Sequence, residues 1–561
     1  MKLTGAQIIL RKLTENKVKI VFEFPGGSLC PVLDELYKHK AIKMVCFRHE
    51  QAAIHAADAY ARIAGCPSVC MATSGPGASN LVTGIANAYM DSVPVVVITG
   101  QVAVWDLKGD RQVRQRGFQE LDIVSLVKSI TKAAFIVNDV SDLSEILSKA
   151  FFIAKEGRPG PVLVDVPVNV QYSLCEYKKS KERLNRKKLT CSKALVRDIA
   201  KKFVMSKNPL VLAGGGVILA SAGDRLSRFV REYKIPLVET LMGVTAVSSD
   251  YDFNLGLVGY AGSRLAQSAV AQADFVLGLG LRFDNRAFPD GKKEFSKNAH
   301  IVQVDCDRHE MNHRVKVNQA VLADADLFLR DFIFELKKLE YKPKYEWLKQ
   351  IMSWKEEYPV LRKNKLSAAF IMDSLSKMLK NKNAVITTDV GQHQLWAAQH
   401  FKFTKVKSFI TSGGLGTMGF GLPAAIGAQF SDSNALVFNI TSDGSFQMNI
   451  QELATVIDYK LPVKIVLFNN KCLGLVRQIQ EFAFCSRYAS TRVNSNVDFV
   501  KIAKAYGIDA FSVNAPRAVV GAIKRVVNSR KSIMVEFNID EFENVFPVRI
   551  KGKTIYDSAK S

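Results

Sequence analysis

The stretch Leu436-Val437-Phe438-Asn439-Ile440-Thr441-Ser442-Asp443-Gly444-Ser445 decides the fold class, together with Val463-Lys464-Ile465-Val466-Leu467-Phe468-Asn469-Asn470. Each is a short apolar run that ends in polar residues. Strands of a parallel sheet read this way, because helices cover both faces and neither face meets water. Similar runs recur at Pro94–Thr99, Val162–Val166, Leu210–Ala213, Phe275–Leu279 and Ile301–Val304. Helix-length segments such as Glu50–Ala64 and Ala78–Met90 lie between them. The alternation predicts an α/β protein with parallel sheets.

Two stretches interrupt the alternation. One is the basic run Lys178 to Lys188; the other, Glu340–Lys365, is rich in Lys, Glu, Tyr and Pro. They divide the 561 residues into blocks that each suit one doubly wound domain, at 1–177, 191–340 and 366–545. Residues 178–190 and 341–365 are then linkers, and 546–561 a tail.

The formal net charge is +24. The basic residues are spread along the chain, and the densest run has no interleaved aromatic side chains on which bases could stack. A Lys-rich surface that prefers anionic small molecules is expected, with no nucleic-acid partner. No apolar run reaches the ~18 residues of a membrane span. The nine cysteines show no CxxC pair, and Met1-Lys2-Leu3-Thr4 opens no long apolar segment. A reduced, cytoplasmic protein is expected.

Two motifs mislead. His309-Glu310-Met311-Asn312-His313 matches HExxH, but no obvious third zinc ligand lies downstream, and the start of a surface helix is expected. Gly414-Leu415-Gly416-Thr417-Met418-Gly419 matches GxGxxG and a helix after it is plausible, but the acid that a dinucleotide site needs ~20 residues on is not obvious.

Asp443 and Asn470 are the informative pair. Each lies just past the C-terminal end of a strand, the edge at which doubly wound sheets bind ligands. They stand 27 positions apart. A carboxylate and an amide oxygen are hard donors that suit Mg²⁺, an ion that takes its remaining ligands from water and phosphate. The pattern resembles the thiamine-diphosphate signature, a Gly-Asp-Gly triplet followed by Asn-Asn. Ser442 replaces the first glycine. Phe47-Arg48-His49-Glu50 supplies a second signal, because enzymes of that class carry a glutamate at a strand end here. That residue hydrogen-bonds the cofactor's pyrimidine ring and so helps to activate the thiazolium carbon.

Joined, these signals resemble the acetolactate synthase (acetohydroxyacid synthase) large-subunit family over about Val21 to Gly507. Phe24-Pro25-Gly26-Gly27, Ala72–Ala78 (ATSGPGA), Tyr89–Pro94 (YMDSVP), Gly157–Val162 (GRPGPV), Thr388–His393 (TDVGQH), Ser412–Gly421, Met448–Leu453 and Leu473–Gln478 carry the resemblance. It implies that the three blocks are a pyrimidine-binding, a central FAD-binding-like and a diphosphate- and Mg²⁺-binding domain. It implies thiamine diphosphate, Mg²⁺ and a flavin (FAD) with no net redox role. The implied reaction decarboxylates pyruvate and transfers the two-carbon unit to a second carbonyl compound. The implied assembly is a homodimer or homotetramer with the cofactor between two subunits.

Residue by residue, the resemblance makes Glu50 the activating glutamate, with Gly27, Phe118 and Gln119 lining the reaction site. Asp443, Asn470 and the Cys472 carbonyl hold the metal. Gly391, Gln392, His393, Gly444 and Ser445 cradle the diphosphate; Gly416 belongs to the same site, and Met418 props the cofactor. Arg158, Gly214, Gly215, Gly216, Thr240, Leu241, Met242, Gly280, Arg282, Asp284 and Asp305 match flavin-binding positions. Arg286 can grip an acceptor carboxylate with two hydrogen bonds.

Departures gather on the acceptor side. Val168, Ile479 and Ala261 stand where the family usually has Lys, Trp and His, and Lys108–Gly117 (KGDRQVRQRG) is longer and more basic than usual. The Ile550-Lys551-Gly552-Lys553 tail also looks unlike biosynthetic synthases. Acetolactate formation, as in branched-chain amino acid biosynthesis, is one reading. Transfer to a nucleotide-linked keto sugar, as in related flavoenzymes of branched-chain sugar biosynthesis, or to another ketone or aldehyde, is the alternative.

Overall fold

The computed structural model describes residues 1–177, 188–358, 365–492, 496–550 and 553–555. The basic run therefore falls almost wholly outside the described residues, as does part of the tail.

Three six-stranded sheets form the framework, and every strand pair within them is parallel. The N-terminal sheet orders its strands Lys43–Cys46, Ile20–Phe24, Ser68–Ala72, Val95–Gln101, Val162–Pro167, Ala133–Ile136. The central sheet runs Asn254–Leu257, Leu237–Glu239, Pro209–Ala213, Phe275–Leu279, His300–Asp305, Gln319–Leu322. The C-terminal sheet runs Phe409–Ile410, Ala384–Thr388, Leu436–Ser442, Lys464–Asn469, Ile533–Asn538, Asp509–Val513. The fold class is the one the apolar runs imply. Two-stranded antiparallel pairs add Lys2–Thr4 with Leu174–Glu176, and Val548–Ile550 with Lys553–Ile555.

Helix Glu50–Ala64 forms over the span expected from sequence, capped by the His49 side chain and stopped by Gly65 at φ 67°. The segment 78–90 breaks instead into Pro76–Asn80 and Val82–Met90. Residues 341–365, expected to be a linker, contain helix Tyr345–Glu357, whose Trp347 and Trp354 are buried against the central domain. Its Lys- and Glu-rich outer face hides two tryptophans spaced two turns apart.

The N- and C-terminal domains of the same chain share one core. Ala52, Ala53, Ala56 and Ala57 of helix Glu50–Ala64 pack with Ala424, Ala425 and Ala428 of helix Gly421–Ser431. Small side chains let the two helix backbones approach closely. Polar ties flank this seam: the Glu452 carboxylate accepts from Arg48 N, and Tyr459 Oη from Cys46 N. Burial pushes Glu452 up to about 7, against the pull of these bonds.

Candidate active site

Read from the first-named edge, the strand order of each large sheet first reverses at an interior pair. In the N-terminal sheet this happens between Ile20–Phe24 and Ser68–Ala72, in the central sheet between Pro209–Ala213 and Phe275–Leu279, and in the C-terminal sheet between Ala384–Thr388 and Leu436–Ser442. The crevice beyond the strand ends at such a reversal is where open α/β sheets take ligands. Gly26, Gly27 and Ser74 to Gly77 follow the first pair, Gly214 to Gly216 and Gly280 the second, and Asp389 to His393 and Asp443 to Ser445 the third. The topology thus brings sequence-distant residues to common edges.

The C-terminal edge is built from buried polar groups. Asp443 is fully buried and opens a single helical turn, Asp443–Phe446. Ser445 Oγ donates to the Val390 carbonyl at 3.2 Å, joining the two strand ends. Asn470 sits just past strand Lys464–Asn469, with its Nδ2 3.3 Å from Gln392 Oε1 and its Oδ1 accepting from Cys472 N at 3.4 Å. Gln392 is further held through Gln478 Oε1 and the Glu543 carbonyl. Gly391 has φ 157°, and a Cβ there would meet the His393 ring at 2.8 Å.

His393 is buried, and burial pushes its imidazole down to about 3, so the ring is neutral at pH 7. Its Nε2 is buried with no hydrogen-bond partner among the described residues. An orphaned polar atom at a ligand-binding edge is costly unless a ligand completes it. Behind it, the Asp389 carboxylate accepts from Gly421 N at 2.8 Å and Thr441 Oγ1 at 2.6 Å, while burial raises it to about 6. Asp389 belongs to the Thr388–His393 motif, but the family resemblance assigns it no role. Here it ties a strand end to the start of helix Gly421–Ser431.

Glu50 is buried at the first position of its helix. Asn80 Nδ2 donates to Glu50 Oε2 at 2.9 Å, and a Cβ at Gly77 would lie 3.2 Å from Oε1. The loop Ser74–Gly77 thus lies beside Glu50. Gln119 belongs to the same corner, since a Cβ on Gly75 would meet Gln119 Cβ at 2.9 Å. Phe118 is exposed, and Gly27 has open space where a side chain would stand. Arg286 is exposed, with its guanidinium over the Tyr260 ring at 4.6 Å. Met418 is half-buried between Gly416, at φ 76°, and Gly419, at φ 86°.

Residues 3–126, 196–332 and 389–537 match the N-terminal TPP-binding, central and C-terminal TPP-binding domains of thiamine pyrophosphate enzymes. The chain is 40% identical to the acetolactate synthase isozyme 2 large subunit of Escherichia coli over 547 residues, covering 97% of each chain. It is 39% identical to the acetolactate synthase large subunit of Pyropia yezoensis, over 98% of this chain and 94% of that one. A probable acetolactate synthase large subunit of Methanocaldococcus jannaschii is also 39% identical, over 96% of this chain and 92% of its own. This chain belongs to the acetolactate synthase large-subunit family. As a member, it is a thiamine-diphosphate-dependent carboligase.

The central reversal gathers residues that the sequence matches to flavin-binding positions. At the central reversal, Gly214 and Gly216 press against Gly280, so close that a Cβ on Gly214 would fall 2.2 Å from Gly280 O. Thr240 opens the turn Leu241–Gly243 beside them. Met242 packs on Gly215. Asp284 caps its own turn through the N–H groups of Arg286 and Ala287. Asp305, raised to about 6 by burial, accepts from Asp307 N. Arg158 Nη1 pairs with Asp307 at 3.2 Å and Glu310 at 2.5 Å, so this side chain bridges the N-terminal and central domains. Arg282 lies within 4 Å of both Asp284 and Glu310.

Neither misleading motif has its namesake's local geometry, and the surface helix expected at His309 is a single 3-10 turn instead. Residues Arg308–Glu310 form one 3-10 turn and Asn312 has φ 57°, so His309 and His313 do not share a helix face. Residues 414–419 lie within the long loop that joins strand Phe409–Ile410 to helix Gly421–Ser431. Among the described residues no three His, Cys, Asp or Glu side chains cluster as a metal site. No helix among them is long and apolar enough to cross a membrane.

Proposed function

We propose that this chain decarboxylates pyruvate and joins the two-carbon unit to a second 2-keto acid, as an acetolactate synthase, with Mg²⁺ and FAD bound beside thiamine diphosphate. The observation that carries the reading is the C-terminal edge. A buried carboxylate, an amide oxygen, an orphaned neutral imidazole and a helical turn pointing at one crevice suit a metal diphosphate. Asp443 Oδ and Asn470 Oδ1 would hold Mg²⁺, with the Cys472 carbonyl as a third ligand. His393 Nε2, Gln392 and the N–H groups of Gly444 and Ser445 would meet phosphate oxygens. A metal taken mostly by amide, carbonyl and phosphate oxygens forms no cluster of acidic and imidazole side chains.

Bound thiamine diphosphate supplies a carbon nucleophile and an electron sink for decarboxylation. The protein must then hold protons and carbonyls in place. Glu50 is buried with Asn80 on Oε2, which leaves Oε1 to share a proton with a cofactor ring nitrogen. Gln119 lies in the same corner, and Gly27 and Phe118 would line the reacting carbonyl and help to exclude water from it. Arg286 would orient the acceptor carboxylate, its plane fixed by the Tyr260 ring. In the central crevice, Gly214 to Gly216, Met242 and Arg282 would hold the flavin, with Asp305 beside them. A homodimer is the minimal assembly, with each cofactor between the N-terminal domain of one copy and the C-terminal domain of the other.

One feature favours a larger, anionic acceptor as a second reading. The Glu120 carboxylate accepts from the N–H groups of Lys108 and Arg116 and so pins a loop carrying exposed Arg111, Arg114 and Arg116, next to Phe118 and Gln119. Trp105 and Tyr172, both exposed, line a neighbouring open slot with Val168. An aromatic slot beside three guanidinium groups suits a nucleoside diphosphate.

Glu50→Gln tests the primary reading. It should keep thiamine diphosphate bound but lose pyruvate turnover by ~10²-fold or more. Retained full turnover would overturn the assignment.

A further inference from the structure

The motif Tyr89 to Pro94 has no part in the chemistry above, yet the structure gives it one buried acid with three partners. The Asp91 carboxylate accepts from Gly413 N at 3.0 Å, Gly414 N at 2.7 Å and Arg62 Nη2 at 3.0 Å. Arg62 also donates to the Thr411 carbonyl at 3.0 Å and to Asp58 at 2.6 Å. Asn87, one helical turn before Asp91, accepts from Ser412 Oγ at 2.5 Å and Thr417 Oγ1 at 3.2 Å. Ser412 Oγ in turn accepts from Gly416 N at 3.1 Å and Thr417 N at 2.8 Å. Four N–H groups and two hydroxyls of residues 412–417 therefore end, directly or through Ser412, on Asn87 and Asp91. The loop lies in the C-terminal domain, but the N-terminal domain holds it.

We propose that Asp91 and Asn87, braced by Arg62, are positioning residues for thiamine diphosphate: they clamp loop 412–419 in the shape that receives the cofactor. The proposal rests on the reading that this loop, through Gly416 and Met418, touches the cofactor. The physical argument concerns preorganisation. A glycine-rich loop has many conformations, and fixing it on binding would weaken affinity. Here the ordering is done beforehand, by a carboxylate that accepts two backbone N–H groups and is itself held by the largely covered Arg62 guanidinium. An amide at position 91 keeps the size but loses the charge opposite Arg62. It also places an NH₂ donor where one of the N–H groups now donates. Ser92 extends the corner, since its Oγ accepts from Arg158 Nε at 2.8 Å. Through Arg158, Ser92 reaches Asp307 and Glu310 of the central domain.

The test is a titration of the full-length protein with thiamine diphosphate and Mg²⁺, followed by tryptophan fluorescence and by turnover of pyruvate. Asp91→Asn should weaken thiamine diphosphate affinity by ~10-fold or more, with kcat at saturating cofactor within about threefold of wild type. Ser412→Ala, a milder cut in the same clamp, should shift affinity in the same direction by a smaller factor; it decides the matter should Asp91→Asn fail to fold. Phe332→Leu, in the central core, gives a destabilised control whose cofactor affinity should not move. Met418→Ala separates the two layers of the argument. If it weakens cofactor binding while the clamp variants do not, the clamp is wrong and the loop assignment stands. If none of the three moves affinity, the loop does not touch the cofactor and both fall.

Discussion

Replacing Gly427 with alanine should pry the N- and C-terminal domains of one chain apart. Gly427 faces helix Glu50–Ala64 from helix Gly421–Ser431. A Cβ there would fall 2.0 Å from Ala56 O, 2.7 Å from its carbonyl carbon and 2.8 Å from its Cα. The obstacle is backbone on a rigid helix, so no side chain can rotate away. The helices would have to separate by roughly 1 Å, which loosens the alanine face on both sides. Overpacking of this kind costs about 1–3 kcal/mol, and a backbone obstacle puts this case at the upper end. The melting temperature should fall by about 5 °C or more. Gly521 is the matched control: it lies in helix Val519–Asn528 with nothing within 4 Å of its would-be Cβ. Gly521→Ala should be neutral or slightly stabilising, because alanine is the better helix former. Differential scanning fluorimetry of both variants checks this. A Gly427→Ala protein melting within 1 °C of wild type would refute the close-packing argument.

Two further outcomes follow from the same geometry. Glu239 is buried, and burial raises its carboxyl to about 8 although Val247 N and Asn254 donate to it. The folded state therefore holds this proton more tightly than the unfolded chain. Its stabilising effect is full below the unfolded pKa near 4.5 and is lost as pH rises through about 8. The loss is at most ~5 kcal/mol, so Glu239→Gln, neutral throughout, should show a flatter fall in melting temperature between pH 6 and 9. Identical slopes would show that this carboxyl does not titrate with folding. Chelation by EDTA should abolish turnover reversibly, with Mg²⁺ restoring it. Asp443→Ala should need far more Mg²⁺ for the same rate, and an unchanged Mg²⁺ requirement would remove Asp443 from the metal site.

Much of this was legible in the sequence, for physical reasons. Parallel strands buried on both faces must be continuously apolar, so Leu436–Ser442 and Lys464–Asn469 announce themselves. Asp443 and Asn470 are legible as polar residues just past two such strands, whereas Gly391 to His393 are named by the family resemblance alone. What the sequence hides is long-range pairing. Nothing in the spacing of Arg62, Asn87 and Asp91 shows that they close on residues 411–417, more than 300 positions away. The only local hint was an acid, Asp91, at the buried end of an apolar helix. Arg158, which the resemblance matches to a flavin-binding position, is joined to Asp307 and Glu310 of the central domain, a pairing that no spacing in the sequence reveals. Composition misled at Tyr345–Glu357, where charged residues cover a helix anchored by Trp347 and Trp354.

The central claim is carboligation of pyruvate, and ¹³C NMR of labelled pyruvate with the protein, thiamine diphosphate, Mg²⁺ and FAD tests it most directly. Pyruvate as the sole carbonyl substrate should yield 2-acetolactate and CO₂, and both should vanish when thiamine diphosphate is omitted. CO₂ with little acetolactate would transfer the acceptor role to the anionic compounds suited to Arg111, Arg114 and Arg116. No thiamine-dependent consumption of pyruvate would contradict the account.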